Sequence, residues 1–261
     1  MTLVQALGLV DARLVVLVGA GGKTSLMFAL TREFVDTGES VLLTTTTRLA
    51  ADEAAGPWPE IVATAATDVI DAALRPAGAI LVHAGVDATA GKALGLDPYT
   101  VDRVAGSGAF NRIVVEADGA ARRPLKVPAA HEPVIPETAD AVVAVAGMSA
   151  VGRSCGESVF RIEMWSRLTG LAKGDIVTAE SVSHAANHPE GLAKGAPPAA
   201  RRVLLLNQAD TPDRIAAGHD IAHRLAAMGS RSFATVVIAR LRPGPEIADI
   251  IVLDPEIKVP R

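Results

Sequence analysis

Seven short and mostly apolar runs recur along the chain without the polar alternation of a half-exposed strand. Runs of this kind are typical of strands covered on both faces, and the segments between most of them are long enough for helices or crossover loops. The pattern predicts an α/β fold with a doubly wound, mostly parallel sheet and right-handed crossovers. The runs are Leu14–Val18, Val41–Leu43, Ala79–Val82, Arg112–Val115, Ala141–Val145, Val203–Leu206 and Thr235–Ile238.

The pattern changes between residues 147 and 200, where glycines and the pair Pro197-Pro198 interrupt any long periodicity. We interpret residues 1–261 as a single domain and residues 147–200 as an insertion or small helical subdomain. Helices are predicted within it at Ile162–Leu171 and Thr178–Ala186, the second with Glu180 in its first turn.

Composition narrows the class of protein. A chain of 261 residues that is 49% hydrophobic can bury a sizeable core. Its formal charge of -4 excludes a general nucleic-acid binder, because such proteins carry a net positive charge. One cysteine excludes an internal disulfide, and neither a cleavable signal pattern nor a membrane-length apolar run is present. We therefore expect a cytoplasmic protein with no nucleic-acid or membrane partner.

The first apolar run leads through glycines into a helical pattern, in which Leu26, Met27, Leu30 and Phe34 follow at helical spacing. A strand, a glycine turn and a helix N-terminus together form a phosphate-binding loop, or P-loop. The loop is short, because two residues rather than four separate its first glycine from the Gly-Lys pair. We predict a fold of the P-loop NTPase type with nucleotide bound by Gly19, Ala20, Gly21, Gly22, Lys23, Thr24 and Ser25. Lys23 would reach the β- and γ-phosphates, and the Thr24 hydroxyl would coordinate Mg²⁺.

Two carboxylates, Glu116 and Asp118, follow the fourth apolar run. On an extended backbone they face the same side, so they could hold a metal-bound water or activate one near the phosphates. We predict Lys23, Glu116 and Asp118 as catalytic residues and Thr24 and Asp118 as the metal-binding pair. The alternative is an acidic turn that closes a strand.

Hydroxyls and cations near two other strand ends are candidates for a substrate or switch site. Thr45, Thr46 and Thr47 could bind the γ-phosphate, its magnesium or the attacking water, although β-branched residues also suit strands. After the acidic pair, a proline-stiffened segment could clamp a phosphate or an anionic substrate, or sense the γ-phosphate. A solvated basic loop is the commoner explanation for such a segment. Its candidate residues are Arg122, Arg123, Lys126 and His131.

The segment Asn207-Gln208-Ala209-Asp210 resembles the Asn-Lys-X-Asp element with which GTPases recognise guanine. The Asp210 carboxylate would accept hydrogen bonds from the guanine ring N–H and exocyclic amine, and adenine offers no such pair of donors. Asn207 would brace the loop. Because Gln208 replaces the usual lysine and a plain turn also fits, GTP and ATP both remain open. Cys155 could be an exposed reactive thiol or, more simply, a passive one.

Taken together, the motifs at residues 18–24, 44–47, 116–119, 124–126, 131–136 and 207–210 resemble the selenium-dependent hydroxylase accessory protein family, YqeC. Residues 91–96 and 160–163 are also similar to family segments, with Phe160 in place of an expected histidine. The resemblance implies a P-loop protein that assists the maturation of molybdenum hydroxylases. Its partners would be a molybdenum hydroxylase or its cofactor-handling proteins.

Three interpretations of the function follow. In the first, slow hydrolysis of GTP or ATP with Mg²⁺ drives a conformational cycle that assists a client enzyme. In the second, the chain is an ATP-dependent ligase or kinase, similar to the Mur ligases in its compact loop, and Arg122, Arg123 and Lys126 hold a small anionic acceptor. A pocket in the Ala146–Ala200 region would favour this second interpretation. In the third, the chain is a regulator that binds nucleotide without hydrolysing it.

Overall fold

The computed structural model describes residues 1–50, 56–73 and 78–254. All seven predicted strands are present in it. The strands are β1 Leu14–Gly19, β2 Val41–Thr45, β3 Arg48–Ala50, β4 Glu60–Val62, β5 Ala79–His83, β6 Gly85–Asp87, β7 Lys92–Leu94, β8 Arg112–Glu116, β9 Leu125–Lys126, β10 Ala141–Gly147, β11 Val159–Phe160, β12 Arg201–Asn207, β13 Thr235–Arg240 and β14 Glu246–Val252. The helices are α1 Leu3–Ala6, α2 Lys23–Asp36, α3 Ala66–Ala72, α4 Pro98–Ser107, α5 Cys155–Ser158, α6 Ile162–Thr169, α7 Ala179–Asn187 and α8 Pro212–Ala227.

A nine-stranded sheet in the order β14-β13-β12-β10-β1-β8-β2-β5-β4 forms the centre of the fold. Neighbouring strands pair in parallel except at one edge, where β14 is antiparallel to β13. The predicted α/β fold with a mostly parallel sheet is therefore confirmed, and the arrangement is consistent with the P-loop type. Strand β1 lies between β10 and β8, so the loop after β1 adjoins the carboxyl ends of both.

Residues of β1 alternate between two hydrophobic cores. Val16 and Val18 belong to the core that contains apolar residues of α3, α4, α7 and α8. Val15 and Leu17 belong to the core on the other face, with residues of α1 and α2. Because both faces of the sheet are covered, its central strands can be apolar throughout. No helix within the described ranges is both long and apolar enough to cross a membrane.

Two small sheets lie beside the main one and were not predicted. Strands β3, β7 and β6 form an antiparallel sheet, and β9 pairs in parallel with β11. The three-stranded sheet is held close to the end of β2, where the Leu96 N–H donates to the Thr45 carbonyl at 2.8 Å. Gly95 is packed so tightly there that a Cβ would lie 2.5 Å from the Thr47 nitrogen.

The predicted helices between residues 147 and 200 are confirmed as α6 and α7. Thr178 is the N-cap of α7 and forms a capping box with Ser181. Trp165 and Val182 belong to the core on one face of the main sheet. Whether this segment is an insertion or a subdomain stays a prediction.

Cys155 is fully buried, and this burial raises the pKa of its thiol. The interpretation of Cys155 as an exposed reactive thiol is therefore wrong, and the passive thiol is supported.

Candidate functional site

The glycine loop after β1 turns directly into α2. Gly22 is the N-cap of α2 and Lys23 its first residue. Gly21 and Gly22 have φ values of 88° and 134°, which L side chains rarely adopt. A Cβ at Gly21 would also lie 2.6 Å from the Gly147 nitrogen at the end of β10. Only glycine therefore fits this turn, and the N-terminus of α2 faces the loop as an anion-binding P-loop requires.

Lys23 lies in a cluster of opposite charges beneath the loop. Its side chain is 4% exposed, and its Nζ donates to the Gly19 carbonyl at 2.7 Å. The same Nζ lies 3.3 Å from Asp118 Oδ1 and 3.5 Å from Glu116 Oε1. Burial alone would lower the pKa of Lys23, but the two carboxylates outweigh it and raise the pKa above the usual 10.5. The structure thus brings together the three predicted catalytic residues.

The two carboxylates of the acidic pair occupy different levels of the site. Glu116 reaches the wall of a cavity above the loop, and its Oε2 accepts from the Thr24 hydroxyl at 3.0 Å. Asp118 lies below, 1% exposed, where its Oδ2 accepts from the Gly19 N–H at 3.1 Å. Its Oδ1 is buried and has no hydrogen bond to any residue that the structure describes, although it lies within the ion-pair distance of Lys23. Glu116 therefore faces any bound ligand, whereas Asp118 fixes the base of the loop.

Lys126 is a buried counter-ion and does not belong to a solvated basic loop. Its side chain is 0% exposed, and its Nζ lies 3.0 Å from Asp118 Oδ2 and 2.7 Å from Glu132 Oε2. Arg161 binds the same oxygen of Glu132. Burial would raise the pKa of Glu132, but hydrogen bonds and charge from Arg161 and Lys126 lower it below the usual 4.5. A chain of charges, buried as far as Glu132 and ending at the partly exposed Arg161, thus links the loop to the start of α6.

The other members of the predicted basic segment separate from Lys126. Arg122, with a φ of 59°, lines the cavity. Arg123 also lines it and donates to the carbonyl of Gly156 at 3.2 Å. His131 is exposed and lies outside the set of described residues that line the cavity.

The predicted threonine cluster makes structural hydrogen bonds. The Thr45 hydroxyl donates to the Glu116 carbonyl at 2.8 Å, and the Thr46 hydroxyl donates to the Val134 carbonyl at 2.6 Å. The Thr47 N–H donates to the Thr45 hydroxyl at 3.1 Å. These bonds tie the end of β2 to its neighbours, which supports the structural interpretation of the cluster.

The end of β12 reaches the glycine loop from the other side. The Asn207 Nδ2 donates to the Gly21 carbonyl at 2.7 Å, while its buried Oδ1 has no hydrogen-bond partner in the described part of the chain. Gln208 has a φ of 63° and hydrogen-bonds to Ser149. Asp210 is 44% exposed and accepts from Arg214 at 2.9 Å. Asn207 thus braces the loop, and Asp210 stands at the surface with a cation beside it.

A cavity of about 870 Å³ at the carboxyl ends of the strands unites most of the predicted site. A slightly larger cavity, of about 920 Å³, lies near the amino ends of β10, β12 and β13 and is lined by none of the predicted site residues. The cavity at the carboxyl ends is lined by residues 21–25, Glu116, residues 119–123, Asn207, Gln208 and Asp210.

Lining residues outside the predicted site include Phe28, Arg48, Leu49, Lys92, Leu241 and Arg242. Arg242 follows β13, and its Nε donates to the Ser25 hydroxyl at 3.0 Å. Residues 91–96 did carry a signal as a family segment, but nothing in their pattern places Lys92 beside the glycine loop.

The oxygen donors beside the loop are of the type that Mg²⁺ prefers. They are the hydroxyl of Thr24 and the carboxylate of Glu116, hydrogen-bonded to one another at 3.0 Å. Within the described ranges, no group of three or more histidine, cysteine, aspartate or glutamate residues could hold a metal ion by itself. The residues therefore fit a magnesium ion that receives most of its ligands from phosphate oxygens and water.

Comparison with known proteins gives the family of the chain. The sequence model of the YqeC protein family matches residues 15–163, which include the glycine loop, the acidic pair and the basic segment but end before Asn207. "Uncharacterized protein YqeC" of Escherichia coli (strain K12) is 33% identical over 192 residues, which are 73% of this chain and 74% of that protein. No solved structure matches the chain significantly. The chain belongs to the YqeC family.

Proposed function

We propose that this protein binds a nucleoside triphosphate with Mg²⁺ in the cavity above the glycine loop and hydrolyses it slowly. The observation that carries the proposal is the position of Lys23, which opens α2 directly after a turn that only glycine fits and lies within 3.5 Å of two strand-end carboxylates. If the lysine followed the glycine turn by chance, there would be no reason for two carboxylates beside it, two glycines with positive φ before it and a cavity above it.

Each residue has a distinct role in the proposal. Lys23 exchanges its carboxylate partners for the β- and γ-phosphates, and Thr24 and Glu116 bind the magnesium ion or its water. When bound, Mg²⁺ neutralises charge on the phosphates and orients them. Glu116, on the cavity wall, positions the attacking water. Asp118, which the sequence pattern also assigned to the metal, holds the Gly19 amide and the counter-ion Lys126 and so keeps the loop in shape.

The end of β12 would select the base. Asn207 holds the loop, and Asp210 accepts hydrogen bonds from guanine, which favours GTP over ATP. To do so, Asp210 shares its carboxylate with Arg214 or releases it. This exposed pair costs little to rearrange, because exposed ion pairs contribute about 0–1 kcal/mol.

The biological role that we propose is that of an accessory protein. A slow nucleotide cycle would assist the maturation of a selenium-dependent molybdenum hydroxylase, with that enzyme or its cofactor-handling proteins as partners. Support for this role comes from the motifs of the chain and its membership of the YqeC family.

Calorimetric titration with Mg·GTP and Mg·ATP tests the proposal. We expect Lys23→Met to weaken binding of both nucleotides at least about 100-fold, because charge-assisted hydrogen bonds to phosphate are lost. Lys173→Met removes an exposed lysine outside the cavity and should bind as the parent protein does. Thermal unfolding of both variants separates lost binding from lost folding. No binding of either nucleotide to the folded parent protein would overturn the proposal.

A matched pair of variants tests whether Thr24 binds the magnesium ion. Thr24→Val should abolish the gain in affinity that Mg²⁺ gives the nucleotide. Thr31→Val, which changes a buried threonine of the same helix that bonds only to the Met27 carbonyl among the described contacts, should leave that gain intact. If Mg²⁺ strengthens binding equally in both variants, Thr24 is not a metal ligand.

A further inference from the structure

The cavity continues past the glycine loop on the side of β2, away from the proposed base site on β12. Arg48 of β3 and Lys92 of β7 line that end, with Phe28 of α2 and Leu49 of β3 beside them. Strand β2 follows β8 in the sheet, whereas β12 lies on the opposite side of β1. A nucleotide whose base lies near Asp210 and whose phosphates lie on the loop therefore leaves this end open.

Arg48 and Lys92 belong to the three-stranded sheet, one face of which is buried. In the register of β3 and β7, Arg48 pairs with Leu94 and Ala50 with Lys92, so both cations lie on one face of the small sheet. Leu49 and Ala93, on the other face, are 3% and 1% exposed. Asp87 of β6 is an acidic neighbour of Arg48, with its Oδ2 3.6 Å from Arg48 Nη1.

Cations line both the loop end and the β2 end of the cavity. Among the described residues that line it are the six cations Lys23, Arg48, Lys92, Arg122, Arg123 and Arg242 and the two carboxylates Glu116 and Asp210. Magnesium already cancels part of the triphosphate charge. The volume of about 870 Å³ is also near the upper end of the roughly 300–1,000 Å³ typical of small-molecule sites. This space, together with the position of Arg48 and Lys92 away from the glycine loop, favours a second ligand.

We propose that the β2 end of the cavity binds a second small organic anion together with the nucleotide. Its phosphate or carboxylate contacts Arg48 and Lys92, and its apolar body packs against Phe28. This inference rests on the proposed function, because it assumes that the nucleotide occupies the glycine loop. It places the second ligand beyond the γ-phosphate, where an acceptor or an activating ligand would lie.

Phenyl phosphate and inorganic phosphate are suitable probes for calorimetry. They are titrated into protein saturated with Mg²⁺ and a non-hydrolysable GTP or ATP analogue, whichever binds, so that the loop is occupied. We expect phenyl phosphate to bind more tightly than phosphate, because the ring contacts Phe28. The double variant Arg48→Gln/Lys92→Gln should bind phenyl phosphate at least tenfold more weakly and keep its nucleotide affinity. Phe28→Ala should remove the advantage of the phenyl ring.

The matched control is Arg153→Gln/Lys173→Gln, which removes two exposed cations outside the cavity and should change neither affinity. Competition between phenyl phosphate and the nucleotide, or no binding to the loaded protein, would overturn the inference while leaving the proposed function intact. If no nucleotide binds, the proposed function fails separately. Phenyl phosphate is then titrated into the unliganded protein, and binding that depends on Lys23 rather than on Arg48 and Lys92 would overturn the inference as well.

Discussion

The carboxyl ends of β8 and β12 approach the same loop but are built differently. At β8 the carboxylates Glu116 and Asp118 are buried, with 6% and 1% exposure. Their charges are neutralised by the buried amines of Lys23 and Lys126. At β12 the buried Asn207 is neutral, and the charged Asp210 is 44% exposed with a surface partner. Substitutions at β8 should therefore change folding and chemistry together, whereas substitutions of Asp210 should change only which ligand is preferred.

The largest effect is expected from Lys126→Met, which removes the buried cation shared by Asp118 and Glu132. Removing one partner of a buried ion pair typically costs about 3–5 kcal/mol. Denaturant unfolding measures this loss. The control Arg224→Met breaks an exposed pair with Asp220 on α8 and should cost less than about 1 kcal/mol. Equal losses in the two variants would contradict the contrast between buried and surface charges.

Glu116→Gln should lower the turnover number for nucleotide hydrolysis at least about 100-fold, because general acid–base groups contribute about 10²–10⁴. Nucleotide affinity should change less. Asp118→Asn is the comparison, and we expect its unfolding free energy to fall more than that of Glu116→Gln, since Asp118 holds the Gly19 amide beneath the loop. If Glu116→Gln kept the full turnover number, a residue other than Glu116 would position the attacking water.

Asp210→Asn should weaken GTP binding about 10- to 100-fold, because hydrogen bonds to a charged group contribute about 1.5–3 kcal/mol. Affinity for ATP and thermal stability should stay nearly unchanged, since the residue is half exposed. Asp213→Asn, an exposed carboxylate in the first turn of α8, is the matched control. A GTP preference that survives in Asp210→Asn would show that β12 does not select the base.

The smallest expected effect is on pH dependence. The pKa of Glu132 is lowered in the folded state, so its ion pairs contribute stability above the unfolded pKa near 4.5 and lose it as the pH falls through the lower folded pKa. Glu132→Gln should therefore lose less unfolding free energy than the parent protein when the pH is lowered from neutral to below 4.5. Parallel acid-denaturation curves for the two proteins would contradict the assignment of these ion pairs.

The sequence predicted the central sheet well because its strands are apolar on both faces and need no distant information. Strand β14 escaped, since at the edge of the sheet its residues are only partly buried and its pattern is mixed. The motifs at β1, β8 and β12 were also visible, because a single stretch of chain contains each of them.

What the sequence could not predict depends on contacts between distant segments. Lys126 looked like part of a solvated basic loop, but the pairing of β9 with β11 buries it beside Glu132 and Arg161. Arg48 and Lys92 reach the cavity only because β3 and β7 pair across more than forty intervening residues. The local sequence pattern predicts which face of a helix or strand is apolar. It does not predict which polar groups from distant segments will contact that element.

Lys23 neutralises two carboxylates as well as opening α2. In the proposed function the same amine would turn from Glu116 and Asp118 to phosphate oxygens, while Asp118 would keep Lys126 as a second cation at 3.0 Å. Ligand binding would therefore redistribute charge inside the protein, and the ion pairs that Lys23 gives up would reduce the affinity for phosphate.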